Sequence, residues 1–282
     1  MILSIIAVMA TMDTVVVGCT VVVGPGILHA PEAVVWSPRG GFWVADRGDA
    51  RFHFFSPVGV RLWSFGSSGP GGFEFTDRTA LTDPGGRFIY VADTDGSRIL
   101  KLTRDGVVVR EIRWPGEISA WAWKPRALAS LVDGRVFAID EGSGRIVVTD
   151  PFDGLRTLAD TEEDASASLL PAGLACTTRS LVLADQAAGM IRILDLHGNE
   201  LSRVSVGGAP GSVAIRDDGT LAVVDEESRR ILLVKDGTHP SLAAVACSLT
   251  CPTSLCFAPD GTLLVADRDG DRILRLTLPA VP

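Results

Sequence analysis

Short apolar runs alternate with polar, glycine-rich segments along almost the whole chain. One phrase occurs six times: an apolar run, an aspartate, four variable residues, an arginine in five of the copies, and a second apolar run. The copies begin at Trp43, Tyr90, Phe137, Val182, Ala222 and Leu264. Runs this short and this rich in Val, Ile and Leu favour β-strands over helices, and the polar middle is typical of a turn. Each phrase therefore predicts a β-hairpin.

The spacing of the phrases indicates the architecture. The six aspartates recur at intervals between 40 residues (185 to 225) and 47 residues (46 to 93). A further apolar run precedes each hairpin and another follows it, which gives four strands per repeat. Four-stranded units with this period are typical of propeller blades. The sequence predicts an all-β fold: a six-bladed β-propeller of four-stranded antiparallel blades, forming a single domain over residues 1–282.

The two ends of the chain suggest how the ring closes. After Arg272 only one strand's worth of sequence remains, so the sixth blade lacks its outer strand. The apolar segment that starts at Thr14, TVVVGCTVVVG, is a spare strand at the other terminus. We expect it to complete the sixth blade, since ring closure removes free sheet edges. Residues 1–13 remain open to two interpretations, a leader segment or an extra strand, and the strand is favoured.

Aspartate and arginine face each other across the predicted hairpins. An Asp accepts N–H groups well at the end of a strand, and an Arg five residues later is within reach across the turn. Because the device repeats around the ring, we interpret it as structural. The pairs are Asp46 and Arg51, Asp93 and Arg98, Asp140 and Arg145, Asp225 and Arg230, and Asp267 and Arg272, while the fourth copy combines Asp185 with Met190.

Charge and cysteine content narrow the possible partners. The formal net charge is -8 and the sequence pI is about 5.0, with no basic run, which argues against nucleic acid and leaves a protein, a small molecule or a cation. The five cysteines include no CxxC; Cys247, Cys251 and Cys256 are interpreted as buried small residues, with one disulfide as the alternative. No apolar run predicts a transmembrane segment. We expect a monomer, cytoplasmic in preference to exported.

The segment from Gly71 to Gly106, GGFEFTDRTALTDPGGRFIYVADTDGSRILKLTRDG, resembles a complete NHL repeat. It carries that family's run from Gly-x-Phe to Val-Ala-Asp, Arg-Ile and a closing Asp-Gly. The resemblance extends from Pro31 to about Thr277 and implies the propeller fold. NHL propellers include protein-binding modules, RNA-binding modules and enzyme scaffolds such as amidating lyases, so the family does not define one function.

A second resemblance concerns the first repeat. The stretch Glu32-Ala33-Val34-Val35-Trp36 is similar to the Glu-Gly-Pro-Val-Trp start of the gluconolactonase and regucalcin family. In that family the glutamate binds a divalent metal at the mouth of the channel, and Glu32 matches it. The next ligand of the family is an asparagine in Pro-Asn-Gly. The nearest counterparts in this sequence are Pro171-Ala172-Gly173 and Pro252-Thr253-Ser254, which lack it.

The loops at one face of the propeller hold the candidate functional residues. Acidic side chains are frequent there, and carboxylates suit Ca²⁺ or another divalent cation. The candidate metal ligands are Glu32, His29, Asp77 and Glu117, with His29 also a candidate general base. Since no catalytic motif is present, the favoured function is a binding module that uses this acidic face. The alternative is a metal-dependent hydrolase or lyase of the gluconolactonase type.

Overall fold

Twenty-five β-strands account for most of the described residues. The computed structural model describes residues 13–16, 18–66, 79–114, 123–149, 154–159, 170–235 and 241–278. The strands form six sheets, and each innermost strand lies beside the innermost strands of its two neighbours. The prediction of a six-bladed β-propeller is confirmed. Within these ranges the only helical element is a 3₁₀ turn at Arg268–Gly270.

The first three blades are antiparallel meanders numbered from the axis outwards, except where noted. The first contains β3 (Pro31–Trp36), β4 (Phe42–Asp46), β5 (Arg51–Phe55) and β6 (Arg61–Phe65). The second contains β7 (Leu81–Thr82), β8 (Phe88–Asp93), β9 (Arg98–Thr103) and β10 (Val108–Ile112). The third contains β11 (Pro125–Ser130), β12 (Val136–Asp140), β13 (Ile146–Thr149) and β14 (Leu155–Ala159).

The last three blades follow the same order. The fourth contains β15 (Pro171–Cys176), β16 (Ser180–Asp185), β17 (Met190–Asp195) and β18 (Glu200–Ser205). The fifth contains β19 (Pro210–Ile215), β20 (Leu221–Asp225), β21 (Arg230–Lys235) and β22 (Ser241–Ala246). The sixth contains β23 (Pro252–Phe257), β24 (Leu263–Asp267) and β25 (Arg272–Thr277), and its outer strand comes from the other end of the chain.

The N-terminal segment closes the ring, as the sequence predicts. Strand β2 (Gly18–Val23) pairs antiparallel with β25 and completes the sixth blade. Strand β1 (Asp13–Val16) does something that the sequence analysis did not predict: it pairs parallel with β22 and gives the fifth blade a fifth strand. An outer strand leaves one row of backbone groups unpaired, so β1 covers an edge that would otherwise remain open. Residues 1–12 lie outside the described part of the chain.

Apolar side chains pack between the blades. Six clusters of buried residues occur among the described residues, and each one joins two neighbouring blades. Strand β4 shows why the apolar runs are continuous, because all five of its residues are buried and both faces of the blade meet a neighbour. None of the helical structure described is long and apolar enough to cross a membrane.

The repeated aspartate connects each hairpin to the loop that precedes the innermost strand. In the sixth blade Asp267 Oδ1 accepts the N–H groups of Thr250 and Cys251 at 2.9 and 2.7 Å. Asp225 accepts the N–H of Ala209 at 3.0 Å in the same way. Since these loops end where the innermost strands begin, the aspartates hold one face of the propeller in place.

These buried carboxylates predict sensitivity to acid. Burial by itself raises the pKa of Asp225, but hydrogen bonds from Ser228 and from backbone N–H groups outweigh it and lower the net pKa. A lowered pKa contributes stability above the unfolded-state value of about 3.9, which is lost as the pH falls through the folded value. We expect Asp225→Asn to lower the free energy of unfolding at pH 7 and to reduce its dependence on pH below about 4. Urea unfolding across that range measures both, and an unchanged pH dependence would contradict the assignment.

A disulfide joins the two ends of the ring. Cys19 in β2 is bonded to Cys247, which follows β22, across a sequence separation of 228 residues. The alternative of one disulfide is therefore what the structure contains for Cys247. The interpretation of all three clustered cysteines as unpaired buried residues is wrong for Cys247, while Cys251 and Cys256 are free. The sequence does not identify the pairing because the partners belong to different blades.

Candidate functional site

An axial channel runs between the six innermost strands. It encloses a cavity of about 560 Å³, and small side chains leave the space open, among them Ala80, Ala127, Ala175 and Ala214. Serine hydroxyls in its wall bind the backbone of neighbouring strands: Ser254 accepts the N–H of Val34 and Ser212 accepts that of Leu255, both at 3.1 Å. The wall is therefore held together by its own polar groups, and the charged groups that could bind a ligand lie at one end.

The charged end of the channel, here called the channel mouth, is formed where the innermost strands begin. Five of these strands start with a proline opposite the repeated aspartate. The residue after the proline lines the channel, so it is placed by the same backbone register in each blade. These residues are Glu32, Arg126, Ala172, Gly211 and Thr253.

Glu32 lies beside a cation. Its Oε2 atom is 3.5 Å from Nη1 of Arg268, in the hairpin turn of the sixth blade. Burial alone would lower the pKa of Arg268, but the hydrogen bond to Asp269 and the charges of Cys251 and Glu32 outweigh it and raise the pKa. Arg268 therefore stays charged and neutralises Glu32, the residue predicted to bind a metal.

Arg126 brings a second positive charge into the mouth. Its side chain is nine-tenths buried, and Nη1 donates to Oε1 of Glu141 at 2.9 Å. Opposite charges alternate further round the rim, where Gln186 Nε2 donates to Glu226 Oε2 at 3.0 Å and Arg229 also lines the channel. In the described residues the mouth is thus mixed in charge, whereas the sequence predicts an acidic face.

Three free cysteines line the channel, but none suits nucleophilic chemistry. Burial raises the pKa of Cys176 and of Cys256 to about 12. Burial also raises the pKa of Cys251 at the mouth, although Arg268 opposes this and Nη2 lies 3.2 Å from the sulfur. Since the thiolate is the nucleophile, protonated thiols at neutral pH are poor candidates.

The predicted site residues do not all come together. His29 faces the first hairpin, where Nδ1 is 2.9 Å from Asp49 Oδ1, while Glu32 faces Arg268. Asp77 and Glu117 lie outside the described residues, so their role as metal ligands stays a prediction. Arg126 and Arg268 were not predicted from the sequence. The signal for Arg126 was its place after a proline, which is also the place of Glu32.

The predicted aspartate–arginine pairs are neighbours across the hairpins, and two form direct ion pairs. Arg98 Nε lies 2.7 Å from Asp93, and Arg272 Nη2 lies 2.7 Å from Asp267. Asp46 and Asp225 lie opposite Arg51 and Arg230, and Asp140 N donates to the Arg145 carbonyl, but the side-chain partners of these three aspartates are His53, Ser228 and Ser143. In the fourth blade Arg192 replaces the missing arginine, 2.9 Å from Asp185.

Solved structures resemble the propeller at low sequence identity. A gluconolactonase from Xanthomonas campestris is 14% identical with a TM-score of 0.71, covering 93% of this chain and 90% of that chain. A streptogramin B lyase is 14% identical with a TM-score of 0.69, covering 93% and 98%. A virginiamycin B lyase from Staphylococcus aureus is 16% identical with a TM-score of 0.65, covering 87% and 80%. No family model and no curated protein matches the chain. At these identities the likeness shows the fold alone.

Proposed function

We propose that this protein is a binding module that holds a small organic carboxylate at the channel mouth. The observation that carries the proposal is Arg126, a nine-tenths buried arginine in the wall of an open cavity. Guanidinium groups bind carboxylates through two parallel hydrogen bonds, and the bond to Glu141 occupies only one of the five N–H groups of Arg126 within the described structure. A cavity of about 560 Å³ falls in the range typical of small-ligand sites.

The surroundings of Arg126 define the rest of the ligand. Glu226 and Glu32 offer carboxylates that can accept hydrogen bonds from hydroxyl or ammonium groups. The deeper wall is small and partly apolar, which suits a short carbon skeleton. A compact hydroxy acid or amino acid combines these features. This proposal places the binding function in the channel, and the repeat that builds the channel is proposed to be of the NHL type because the aspartate-centred hairpin occurs in all six blades.

The alternative, a metal-dependent hydrolase or lyase, is supported by Glu32 and by a fold shared with gluconolactonase and the streptogramin lyases. The described mouth does not fit a divalent cation at Glu32. Arg268 lies at the position where the cation would contact Oε2, and like charges repel. The positions that correspond to Glu32 in four other blades hold an arginine, an alanine, a glycine and a threonine, which do not form a set of hard-cation ligands.

Thermal unfolding with a panel of small carboxylates (hydroxy acids, amino acids and dicarboxylates) tests the binding proposal. A ligand present at about 100 times its dissociation constant adds about 2.7 kcal/mol of stability. We expect Arg126→Gln to abolish the stabilisation, while Arg179→Gln, which changes an exposed arginine between β15 and β16, retains it. A full response in Arg126→Gln would contradict the proposal. Cation-dependent lactone hydrolysis that is lost in Glu32→Gln would support the hydrolase instead.

A further inference from the structure

Three potential metal ligands meet on the first blade, away from Glu32. They are His29, in the loop before β3, Asp46, at the end of β4, and Asp49, in the following turn, and we call them the first-blade cluster. One ligand atom from each residue lies within 4.8 Å of the other two. His29 Nδ1 and Asp49 Oδ1 are 2.9 Å apart. The cluster thus combines one imidazole nitrogen with two carboxylates.

The other five blades show what the repeated aspartate normally contacts. One of its carboxylate oxygens accepts backbone N–H groups, and the second accepts a side-chain donor. The side-chain donor is an arginine or a serine in every case. The donors are Arg98 to Asp93, Ser143 to Asp140, Arg192 to Asp185, Ser228 to Asp225 and Arg272 to Asp267.

The first blade departs from this pattern at one position. Ser143 and Ser228 stand three residues after their aspartates, and the same position after Asp46 holds Asp49. A hydrogen-bond donor is therefore replaced by a second carboxylate. The hydrogen bond that Asp46 receives in the described structure is the N–H of His29, shared between both oxygens at 3.1 and 2.9 Å. Asp46 is 0% exposed, so two neighbouring negative groups lack the donor that the other blades supply.

A buried histidine provides a second, independent indication. His53 is 1% exposed, and neither of its ring nitrogens has a hydrogen-bond partner within the described residues. Its Nε2 atom points at Asp46 Oδ2 from 3.5 Å. Buried charges in proteins are paired or coordinate metals. A carboxylate held between one buried and one exposed imidazole, with a second carboxylate next to it, is an environment suited to a cation.

We propose that the first-blade cluster binds a divalent transition-metal ion of the Zn²⁺ class through His29 Nδ1, Asp46 and Asp49. Mixed imidazole and carboxylate ligands suit Zn²⁺ and its neighbours, whereas Ca²⁺ takes oxygen ligands. His53 does not belong to the ligand set and orients Asp46 from behind, as outer partners of metal ligands commonly do. The site is separate from the channel mouth and does not depend on the proposed function.

The backbone prepares the site before any ion binds. Gly48 N donates to the His29 carbonyl at 2.7 Å, which fixes the loop against the hairpin turn. A Cβ atom on Gly48 would overlap that carbonyl and the His29 side chain, so this close approach requires glycine. The three ligands are thus placed by the hairpin and one loop, both of which are held by Asp46.

Isothermal titration calorimetry with Zn²⁺ on the whole chain tests the proposal, and Co²⁺ spectra report the ligand type. We expect one equivalent to bind and Asp49→Ser to weaken binding by at least about 100-fold, since even the outer partners of a metal ligand contribute about 10- to 100-fold. Asp49→Ser recreates the arrangement of Asp140 and Ser143, so the fold should be retained. Asp95→Ser, at an exposed aspartate in the second hairpin, is the matched control and should bind as the unmodified chain does.

Three results would overturn the proposal. One is the absence of binding by Zn²⁺ and Co²⁺. Another is equal binding by the unmodified chain and Asp49→Ser. The third is a thiolate-to-cobalt charge-transfer band, which would assign the ion to the free cysteines of the channel. Unchanged binding in Glu32→Gln supports the first-blade cluster, and loss of binding in that variant would place the ion in the channel.

Discussion

Removal of the Cys19–Cys247 disulfide is expected to lower the free energy of unfolding by about 2–5 kcal/mol. The bond closes a loop across a sequence separation of 228 residues, so it removes much conformational freedom from the unfolded chain. It also ties β2, which completes the sixth blade, to the end of the fifth blade. Without it, β2 depends on its pairing with β25 alone, and the ring is expected to open first at this point.

The double variant Cys19→Ser/Cys247→Ser, followed by urea unfolding under non-reducing conditions, measures the effect. Cys251→Ser is the control, because this thiol is free and lies at the channel mouth. A reducing agent should destabilise the unmodified chain and leave the double variant unchanged. Equal stability of the double variant and the unmodified chain would show that β2 needs no cross-link. Disulfides persist in oxidising compartments, where this bond is expected to contribute its stability.

The fold could be predicted because its information repeats. The apolar run that becomes β4 is buried on both faces, and the same feature recurs in β12, β20 and β24. Six copies of a weak local signal make one strong signal, since each copy independently indicates a hairpin. The closing role of β2 followed from counting strands at both ends of the chain. These inferences required only local patterns and the rule that a propeller avoids open edges.

The contacts at the channel mouth could not be predicted, because they depend on which residues of distant blades approach each other. Glu32 and Arg268 are near opposite ends of the chain, and only ring closure brings them within 3.5 Å. Arg192 shows a subtler limit. It stands seven residues after Asp185, two beyond the expected position, and reaches the carboxylate because alternate residues of a strand share a face. A motif with fixed spacing misses such a replacement, although the chemistry is conserved in space.

Asp267→Ala is expected to destabilise the protein by about 3–5 kcal/mol, the range for breaking a buried ion pair by removing one partner. Asp267 is 0% exposed and accepts hydrogen bonds from two backbone N–H groups and from Arg272. The alanine variant leaves those donors without their acceptor. Since the Thr250 and Cys251 N–H groups belong to the loop before β23, the loss also releases Arg268 and Thr253 at the channel mouth from their fixed positions.

Asp260→Ala provides a comparison within the same blade. Asp260 is an exposed turn residue whose carboxylate binds Thr262, and its removal should cost at most about 1 kcal/mol. Urea unfolding of both variants should therefore separate them by at least about 2 kcal/mol. If Asp267→Ala also weakens carboxylate binding at the channel mouth while Asp260→Ala does not, the repeated aspartate positions the binding site as well as the fold. Similar stability losses in the two variants would instead mean that the loop before β23 is held by the strand ladder alone.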